Sequence, residues 1–324
     1  MKRKKVLVTG SGGFIFSNFI RRIFRTKQPY NLASLDRVRE GQAYNVYLNQ
    51  DHKFYVCDVR DRHVLDVVFQ IEKPDVVVHG AAESFVDSSI ENAQPFITSN
   101  ILGTQNIIDA CLRWDVKKLV YISTDEVYGH LTDEDAPPWP EDAQLNPRNP
   151  YAASKASGEL LVRAAQQTHG LIFNITRSCN NYGPWQHQEK FLPKIVKNVL
   201  RGRKMPVYGQ GLQVRDWLHV HDNCEAIFRI INDGADNETY NISANQELPN
   251  IEVFQRVCNA VEQMGGPKGH ELIEFVKDRP GHDFRYSVDS SKLRALGWAP
   301  EYRFSDGLNH TVGWYINNQF CLKD

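Results

Sequence analysis

The chain has 324 residues, with 38 Lys and Arg against 39 Asp and Glu, so its formal net charge is −1. That balance offers no basic surface for nucleic acid or for an anionic membrane. The sequence contains no apolar run as long as a membrane span, and it enters a predicted strand without a secretory leader. Its six cysteines are scattered without a C-x-x-C spacing, which predicts reduced thiols in a cytoplasmic protein and no metal site.

The first half of the chain alternates short apolar runs with amphipathic segments. The run at 74–79 is almost unbroken valine, as expected where both faces of a sheet are covered. Repeated β-α units of this kind predict an α/β fold built on a Rossmann-type doubly wound parallel sheet. Strands are predicted at 5–9, 32–35, 53–56, 74–79, 118–123 and 171–176, and helices at 14–25, 64–71, 101–112 and 151–168.

The pattern changes after about residue 178. A turn cluster at 180–184 precedes a helix at 191–201, short strands and an amphipathic helix at 251–264. We predict a first domain over residues 1–178, to which a segment near 215–245 returns. A smaller, mixed α/β C-terminal domain is predicted over residues 179–324.

A glycine-rich loop, Gly10-Ser-Gly-Gly13, separates the first predicted strand from the first helix. Backbone N–H groups in such a loop meet the pyrophosphate of a dinucleotide. Asp36, at the end of the second strand, suits the ribose hydroxyls and repels a 2′-phosphate, which favours NAD over NADP, although Arg37 weakens that inference. The third glycine of the usual pattern is replaced by Phe16, whose ring we expect either to push the helix outward or to turn away. The alternative interpretation is a turn that serves packing alone.

Five residues form a candidate proton-moving set. Thr124, Asp125 and Glu126 follow the fifth predicted strand directly, at the sheet edge where ligands bind. Tyr151 and Lys155 lie one helical turn apart. A lysine cation, together with the positive nicotinamide of NAD⁺, favours the phenolate that would act as a base. Adjacent carboxylates raise the pKa of one of the pair, which keeps an acid beside a base. The alternative for the two acids is a solvated turn.

These motifs resemble those of the extended short-chain dehydrogenases/reductases and, within them, of the nucleotide-sugar 4,6-dehydratases. The resemblance runs from about residue 4 to residue 318. The related epimerases generally lack the acid pair after Ser/Thr, so the Thr-Asp-Glu triplet is specific for dehydration. The matching stretches beyond the glycine loop are 81–84, 123–129, 149–155, 180–184, 189–190, 213–217 and 279–283.

The resemblance implies a mechanism for the catalytic residues Thr124, Asp125, Glu126, Tyr151 and Lys155. Tyr151 takes the proton of the sugar C4 hydroxyl as hydride passes from C4 to NAD⁺, while Thr124 hydrogen-bonds the C4 oxygen. Glu126 removes the C5 proton that the new ketone acidifies, and Asp125 protonates the C6 hydroxyl, which leaves as water. Hydride returns to C6, giving a 4-keto-6-deoxy sugar. The expected cofactor is NAD and the leading substrate is dTDP-glucose.

Two sets of binding residues follow from the loop and the resemblance. The expected cofactor-binding residues are Gly10, Gly13, Phe14, Ile15, Asp36, Arg37, Asp58, Val59, Ala81, Ala82, Ser84, Ser99, Tyr151, Lys155 and Asn181. The expected substrate-binding residues are Ser84, Thr124, Asn180, Lys190, Phe191, Pro206, Tyr208, Arg215, Asn241, Arg279, His282 and Tyr286. Arg215 and Arg279 suit bidentate phosphate contacts, and the alternative for either arginine is a surface ion pair. For Tyr208 the alternative is a packing position in the core or at an interface.

Three departures from the family pattern lie near the expected sugar pocket. Phe85 stands where the family commonly has His, Ser88 where it has Arg, and His187-Gln188 where it has Phe-Pro. They leave UDP-, CDP- and GDP-sugars open as substrates. The alternatives are therefore a UDP-glucose 4,6-dehydratase or a UDP-sugar epimerase, and, from another class, a non-catalytic NAD-binding scaffold.

The expected partner besides the nucleotide sugar is a second copy of the chain. The helices predicted at 101–112 and 151–168 carry more apolar surface than one sheet face needs. Relatives pair through such helices in a four-helix bundle, so the resemblance implies a homodimer. Neither nucleic acid nor a membrane is expected as a partner.

Overall fold

The computed structural model describes residues 3–37, 45–133, 135–278 and 283–323. The strands in these residues are β1 (Lys4–Thr9), β2 (Tyr30–Asp36), β3 (His52–Val56), β4 (Val76–His79), β5 (Lys118–Thr124), β6 (Phe173–Ser178), β7 (Asn180–Tyr182), β8 (Met205–Tyr208), β9 (Val214–His219), β10 (Glu238–Ile242), β11 (Glu247–Pro249) and β12 (Ile273–Val276). The α-helices are α1 (Phe14–Arg25), α2 (Arg62–Glu72), α3 (Val86–Glu91), α4 (Gln94–Phe96), α5 (Gly103–Arg113), α6 (Pro150–His169), α7 (Phe191–Leu200), α8 (Val220–Asp233), α9 (Asn250–Gln263), α10 (Ser291–Ala295) and α11 (Phe304–Asn317).

A seven-stranded parallel sheet forms the centre of the molecule, in the order β10-β6-β5-β4-β1-β2-β3. The strand order reverses between β1 and β4, and ligands bind outside the carboxyl ends of strands at such a reversal. The predicted fold class is confirmed. Strand β10 comes from the second half of the chain and pairs with β6. The division of the chain into domains at residue 178 stays a prediction.

Both faces of the central sheet are covered. Helices α1 and α8 lie on one face, where Phe19 and Phe228 stack with ring centroids 4.3 Å apart. Helices α2, α5 and α6 cover the other face, around Phe69, Ile107 and Val162. Strand β4 is buried along its whole length, which explains its run of valines.

The smaller C-terminal part has its own core and two small sheets, in the orders β11-β9-β7 and β12-β8. Helices α7, α9 and α11 bury their apolar faces together, around Val196, Phe254 and Val312. No helix of the described residues is long and apolar enough to cross a membrane. All six cysteines are free and buried.

The sequence predicted most element bounds to within two residues, but the helix predicted at 101–112 differs. It begins earlier, as a π-helical segment Ile97–Leu102 that runs into α5. This segment carries Ser99 and Asn100. The Asn100 amide donates to Glu83 O (3.0 Å) and to Ser154 Oγ (2.8 Å), so it ties the segment after β4 to α6. Mid-helix π-turns are frequent at functional sites.

Candidate active site

The glycine loop between β1 and α1 is shaped by close backbone contacts. Gly10 has φ +78°, and a Cβ at that position would lie 2.7 Å from the Ala81 amide nitrogen, so a side chain is excluded there. The Gly12 amide donates to Asp36 Oδ2 (2.8 Å), which fixes the carboxylate beside the loop. No described side chain caps the N-terminus of α1. The positive end of this helix is therefore open to an anionic group.

A cavity of about 270 Å³ runs from this loop to Tyr151 and Lys155. It brings together the predicted cofactor-binding residues with the exception of Asn181, whose amide donates to Cys179 O (2.9 Å) instead. The predicted residues that line the cavity are Gly10, Gly13, Phe14, Ile15, Asp36, Arg37, Asp58, Val59, Ala81, Ala82, Ser84, Ser99, Tyr151 and Lys155. Other lining residues were not among the expected binding residues: Gly12, Glu83 and Ser123, which belong to the motifs named above, and Asn45, Cys57, Gly80, Ile122 and Gln186.

The lining of this cavity fits a dinucleotide. The hydroxyl of Ser123 is buried at the cavity and has no hydrogen-bond partner in the part of the chain that the structure describes. Such an atom is expected where a ligand completes the bonding. Arg37 forms an ion pair with Glu83, and its Nη1 lies 3.8 Å from Asp58 Oδ2. The charge of Arg37 is thus offset by these two carboxylates within the protein.

Phe16 lies on the floor of the cavity and does not turn away. Its side chain is 3% exposed, and its ring occupies the space that a Cβ on Gly80 would need. Gly80 follows β4 and thereby makes room for a large residue at the position of the missing third glycine. The ring also meets Phe19 edge-on, with centroids 5.6 Å apart. The expectation that the ring turns away is wrong, because an empty place beside the sheet accepts it.

The acid pair is held between β5 and α6. Thr124 is the last residue of β5, and Asp125–Tyr128 forms a 3₁₀ turn directly after it. The side chain of Asn149 caps α6 by accepting from Ala152 N (2.8 Å), and its amide donates to Glu126 Oε2 (3.1 Å). A single residue therefore fixes Glu126 relative to the first turn of α6, which carries Tyr151.

Asp125 sits in a buried and negatively charged environment. Its side chain is 4% exposed, and burial raises its pKa well above the usual value. The neighbouring Glu126 adds to that rise in pKa, while the charge of Arg215 opposes it. Thr124 Oγ1 donates to Asp125 Oδ1 (3.2 Å). A raised pKa favours the protonated form of Asp125, which suits a proton donor beside Glu126.

Tyr151 and Lys155 both line the cavity, one helical turn apart on α6. Burial, and then the charge of Glu126, raise the pKa of Tyr151, while a hydrogen bond with Thr124 works in the opposite direction. Burial lowers the pKa of Lys155 to about 7, and its Nζ lies 4.2 Å from the ring centroid of Tyr121. In the ligand-free protein desolvation therefore disfavours the phenolate, and the expectation that Lys155 and the nicotinamide of bound NAD⁺ together favour it stays a prediction. The resting Tyr151 is a neutral phenol.

Some of the predicted substrate-binding residues adjoin this set. Arg215 acts on the pKa of Asp125, and its guanidinium lies 4.3 Å from the ring centroid of Tyr286. Its Nη2 donates to Asp283 O (2.9 Å), and the Tyr286 hydroxyl donates to the Asp283 carboxylate. Lys190 lines the cavity and donates to Ser84 O (2.7 Å).

Other predicted substrate-binding residues lie apart from the cavity lining. Asn241 is fully buried in a structural network: its amide donates to Trp139 O (2.9 Å), and its oxygen accepts from Tyr128 (2.8 Å). Pro206 and Tyr208 lie on the exposed side of β8. Asn180 and Phe191 are half-buried at the starts of β7 and α7. Arg279 and His282 lie outside the described residues.

Two departures from the family pattern contact each other. The rings of Phe85 and His187 meet edge-on with centroids 5.1 Å apart, and Lys190 Nζ lies 4.5 Å from the Phe85 centroid. All three side chains line the cavity. The family commonly has His at the first position and Phe at the second, so the exchange preserves an aromatic pair. Ser88 is exposed on α3 and takes no part in it.

The fold and the site define an enzyme of the short-chain dehydrogenase/reductase type. Comparison with known sequences identifies the family within this class. The sequence model of the family described as GDP-mannose 4,6 dehydratase matches residues 7–311. The chain belongs to this family of nucleotide-sugar 4,6-dehydratases, which confirms the resemblance found in the sequence.

Individual relatives match over almost their whole length. The low-salt glycan biosynthesis protein Agl12 of Haloferax volcanii is 44% identical over 97% of this chain and 99% of its own. The dTDP-glucose 4,6-dehydratase of Neisseria meningitidis serogroup B is 42% identical over 98% of this chain and 94% of its own. The crystal structure of DesIV, the dTDP-glucose 4,6-dehydratase of Streptomyces venezuelae, with NAD bound, is 38% identical and superposes with a TM-score of 0.89, covering 97% of this chain and 98% of that one.

Proposed function

We propose that the protein catalyses the NAD-dependent dehydration of dTDP-glucose to its 4-keto-6-deoxy sugar. The observation that carries this proposal is the buried Asp125, 4% exposed, beside Glu126, which Asn149 fixes relative to Tyr151 at the end of the cofactor cavity. Burial and the charge of Glu126 raise the pKa of Asp125, which favours its role as a proton donor. An enzyme that only oxidised and reduced one carbon would need Tyr151 and Lys155, but not a carboxyl group kept neutral for donation. The relatives of known activity support dTDP-glucose as the first substrate to test.

Tyr151 and Thr124 act at the C4 hydroxyl. Thr124 lowers the pKa of Tyr151 against the effect of burial, so the two hydroxyl groups lie close enough to contact one substrate oxygen together. Bound NAD supplies the hydride acceptor for C4 and the hydride donor for C6. Tyr151 first passes its phenol proton to the neutral amine of Lys155, whose pKa of about 7 leaves much of it uncharged at neutral pH. The phenolate then takes the proton of the C4 hydroxyl.

Glu126 and Asp125 act at the two neighbouring carbons. A ketone at C4 acidifies the C5 proton, and Glu126, fixed by Asn149, takes it. Asp125 donates its proton to the C6 hydroxyl, which leaves as water. Donation leaves Asp125 charged beside a protonated Glu126, so the pair never carries two negative charges after the step. This exchange is cheaper than building a second charge in a buried site.

The substrate-binding set is part of the proposal. Arg215 and Tyr286 meet the sugar diphosphate next to Asp125, with Lys190 on the cofactor side. The other proposed residues do not line the cavity: they are Asn180, Phe191, Pro206, Tyr208 and Asn241 for the substrate and Asn181 for the cofactor. Arg279 and His282 stay in the proposed set and lie outside the described residues. A side-chain role for Asn241 would require it to exchange its bonds to Trp139 and Tyr128.

We also propose that two copies of the chain pair through α6 and the segment before α5. Ile97, Leu102 and Leu160 are 47%, 51% and 60% exposed there, and Ile90 on α3 is 44% exposed. Apolar side chains gathered on neighbouring helices favour association. Leu102→Glu with Leu160→Glu should give a monomer by light scattering, whereas Ile71→Glu on α2 should not. The free thiols of this protein fit a cytoplasmic location.

Mass spectrometry with a panel of nucleotide-glucoses tests the proposed function. The purified NAD-loaded protein is incubated with dTDP-, UDP-, CDP- and GDP-glucose in separate reactions. Conversion of dTDP-glucose to a product lighter by one water molecule supports the proposal. An isomer of unchanged mass would indicate an epimerase. Conversion of a different nucleotide-glucose alone would show that the substrate is not dTDP-glucose. If no nucleotide-glucose is converted, the protein binds NAD without catalysing this reaction.

A further inference from the structure

A second cavity of about 360 Å³ lies beside α1 and shares no lining residue with the first. Arg21, Arg22 and Arg25 line it from one side of α1, and the spacing of Arg21 and Arg25 puts them one helical turn apart. Arg22 forms an ion pair with Glu225 on α8, so one of the three charges is offset. No acidic side chain is among the described residues that line the cavity. The cavity therefore carries a positive excess.

The positive charge of α1 also affects histidines on the opposite side of the cavity. Burial, and then the arginines of α1, lower the pKa values of His221, at the start of α8, and of His310 on α11; Arg25 acts on both. Burial also lowers the pKa of Arg21 to about 10. A bound anion would stabilise the charged forms of these side chains, because a negative charge attracts every neighbouring cation.

Aromatic rings form another wall of the cavity. The Arg21 guanidinium lies 4.0 Å from the ring centroid of Trp185, and Trp185 meets Trp314 with centroids 4.8 Å apart. Trp314 is half-buried and lines the cavity. Flat apolar surfaces next to guanidinium groups suit a ligand with a planar ring at one end and phosphates at the other.

We propose that this cavity is a second binding site, for a nucleotide, separate from the cofactor and substrate sites. Its phosphates lie against Arg21 and Arg25, and its base lies against Trp314. The proposal does not depend on the activity proposed above, since it uses none of the residues of the first cavity.

The second cavity is connected to the first through the protein. Helix α1 begins at the cofactor loop, and the Asn18 amide donates to Phe14 O (2.9 Å) and to Pro184 O (2.9 Å). Trp185 is followed in the chain by Gln186 and His187, which line the first cavity. A nucleotide bound beside Trp185 is thus expected to change the affinity for NAD, and NAD to change that of the nucleotide by the same factor.

Calorimetric titration of the NAD-loaded protein with dTDP, followed by inorganic pyrophosphate as a second ligand, tests the proposal. We expect a dTDP site that Arg25→Ala weakens about tenfold, as the loss of one charge-assisted contact implies. Arg229→Ala, which removes an exposed arginine paired with Asp233 on α8, is the matched control and should leave that site unchanged. Trp314→Leu should weaken dTDP and leave pyrophosphate unaffected.

Three outcomes would overturn the proposal. The first is that Arg25→Ala changes the affinity of no dTDP site. The second is that Arg229→Ala weakens dTDP binding as much as Arg25→Ala does. The third is that pyrophosphate binds as tightly as dTDP at the site that Arg25→Ala weakens. Because Arg25 is exposed, its replacement is expected to leave the fold intact, and an unchanged melting temperature verifies this. A substrate site that fails to bind dTDP does not affect the result, since only the response to Arg25→Ala is scored.

Discussion

The ring of Phe16 fills the space beside Gly80 where any other residue would place its Cβ. The contact joins the first turn of α1 to the end of β4, two elements that flank the cofactor cavity. Phe16 is buried in the core on the α1 side of the sheet. A large residue at the helix is therefore tolerated only because a residue without a side chain faces it.

A double-mutant cycle measures this dependence. Gly80→Ala alone should lower the free energy of unfolding by about 1–3 kcal/mol through overpacking, and Phe16→Ala alone by about 3–5 kcal/mol through the cavity it leaves. Together they should cost less than the sum, because the new methyl group enters space that the ring has vacated. Denaturant unfolding gives the three values. The pair Phe69→Ala and Gly80→Ala, on opposite faces of the sheet, should be additive to within about 0.5 kcal/mol.

Glu126→Gln should stop the elimination and spare the first oxidation. The amide keeps the hydrogen-bonding shape but cannot take the C5 proton, so turnover should fall by about 10²–10⁴-fold. Rapid mixing with substrate should still give an absorbance of reduced cofactor, since Tyr151 and Lys155 are intact. A variant that turns over at the normal rate would show that Glu126 is not the base.

Asp125→Asn should separate water loss from proton exchange at C5. The amide has no proton to give to the C6 hydroxyl, whereas Glu126 still works as a base. Exchange of the C5 proton with deuterated solvent, followed by NMR, should therefore continue while product formation slows. If C5 proton exchange and product formation slow equally, Asp125 takes part in both steps and the separate roles of Asp125 and Glu126 are contradicted.

Lys155→Met should change how stability depends on pH. The pKa of Lys155 is lowered to about 7 in the folded protein, so between pH 7 and its ordinary value the unfolded chain binds more protons. Lys155 therefore lowers the free energy of unfolding by its full amount below about pH 7. This destabilisation becomes smaller as the pH rises above 7. The melting temperature of the variant minus that of the wild type should be largest near pH 7 and smaller near pH 10. A difference that is constant with pH would contradict the lowered pKa.

The sequence predicted the sheet and its helices well because their signals are local. Unbroken valines and glycine turns specify β4 and the cofactor loop without reference to the rest of the chain. The sequence did not show that the ring of Phe16 points at Gly80, because Gly80 is distant in sequence, and of the two expected alternatives the one in which the ring turns away is wrong. The contact between Phe85 and His187 was invisible for the same reason. The neutral state of Tyr151 depends on burial, which residue spacing does not report.

The most direct test of the proposed reaction uses dTDP-glucose that carries deuterium at C4. The proposed chemistry moves that deuterium to C6 of the same molecule, because the hydride taken from C4 is the one returned after water has left. The product should be lighter by one water molecule and retain the label at C6, as read by mass spectrometry and NMR. Label recovered at C4, or a product that keeps all its oxygen atoms, would contradict the account.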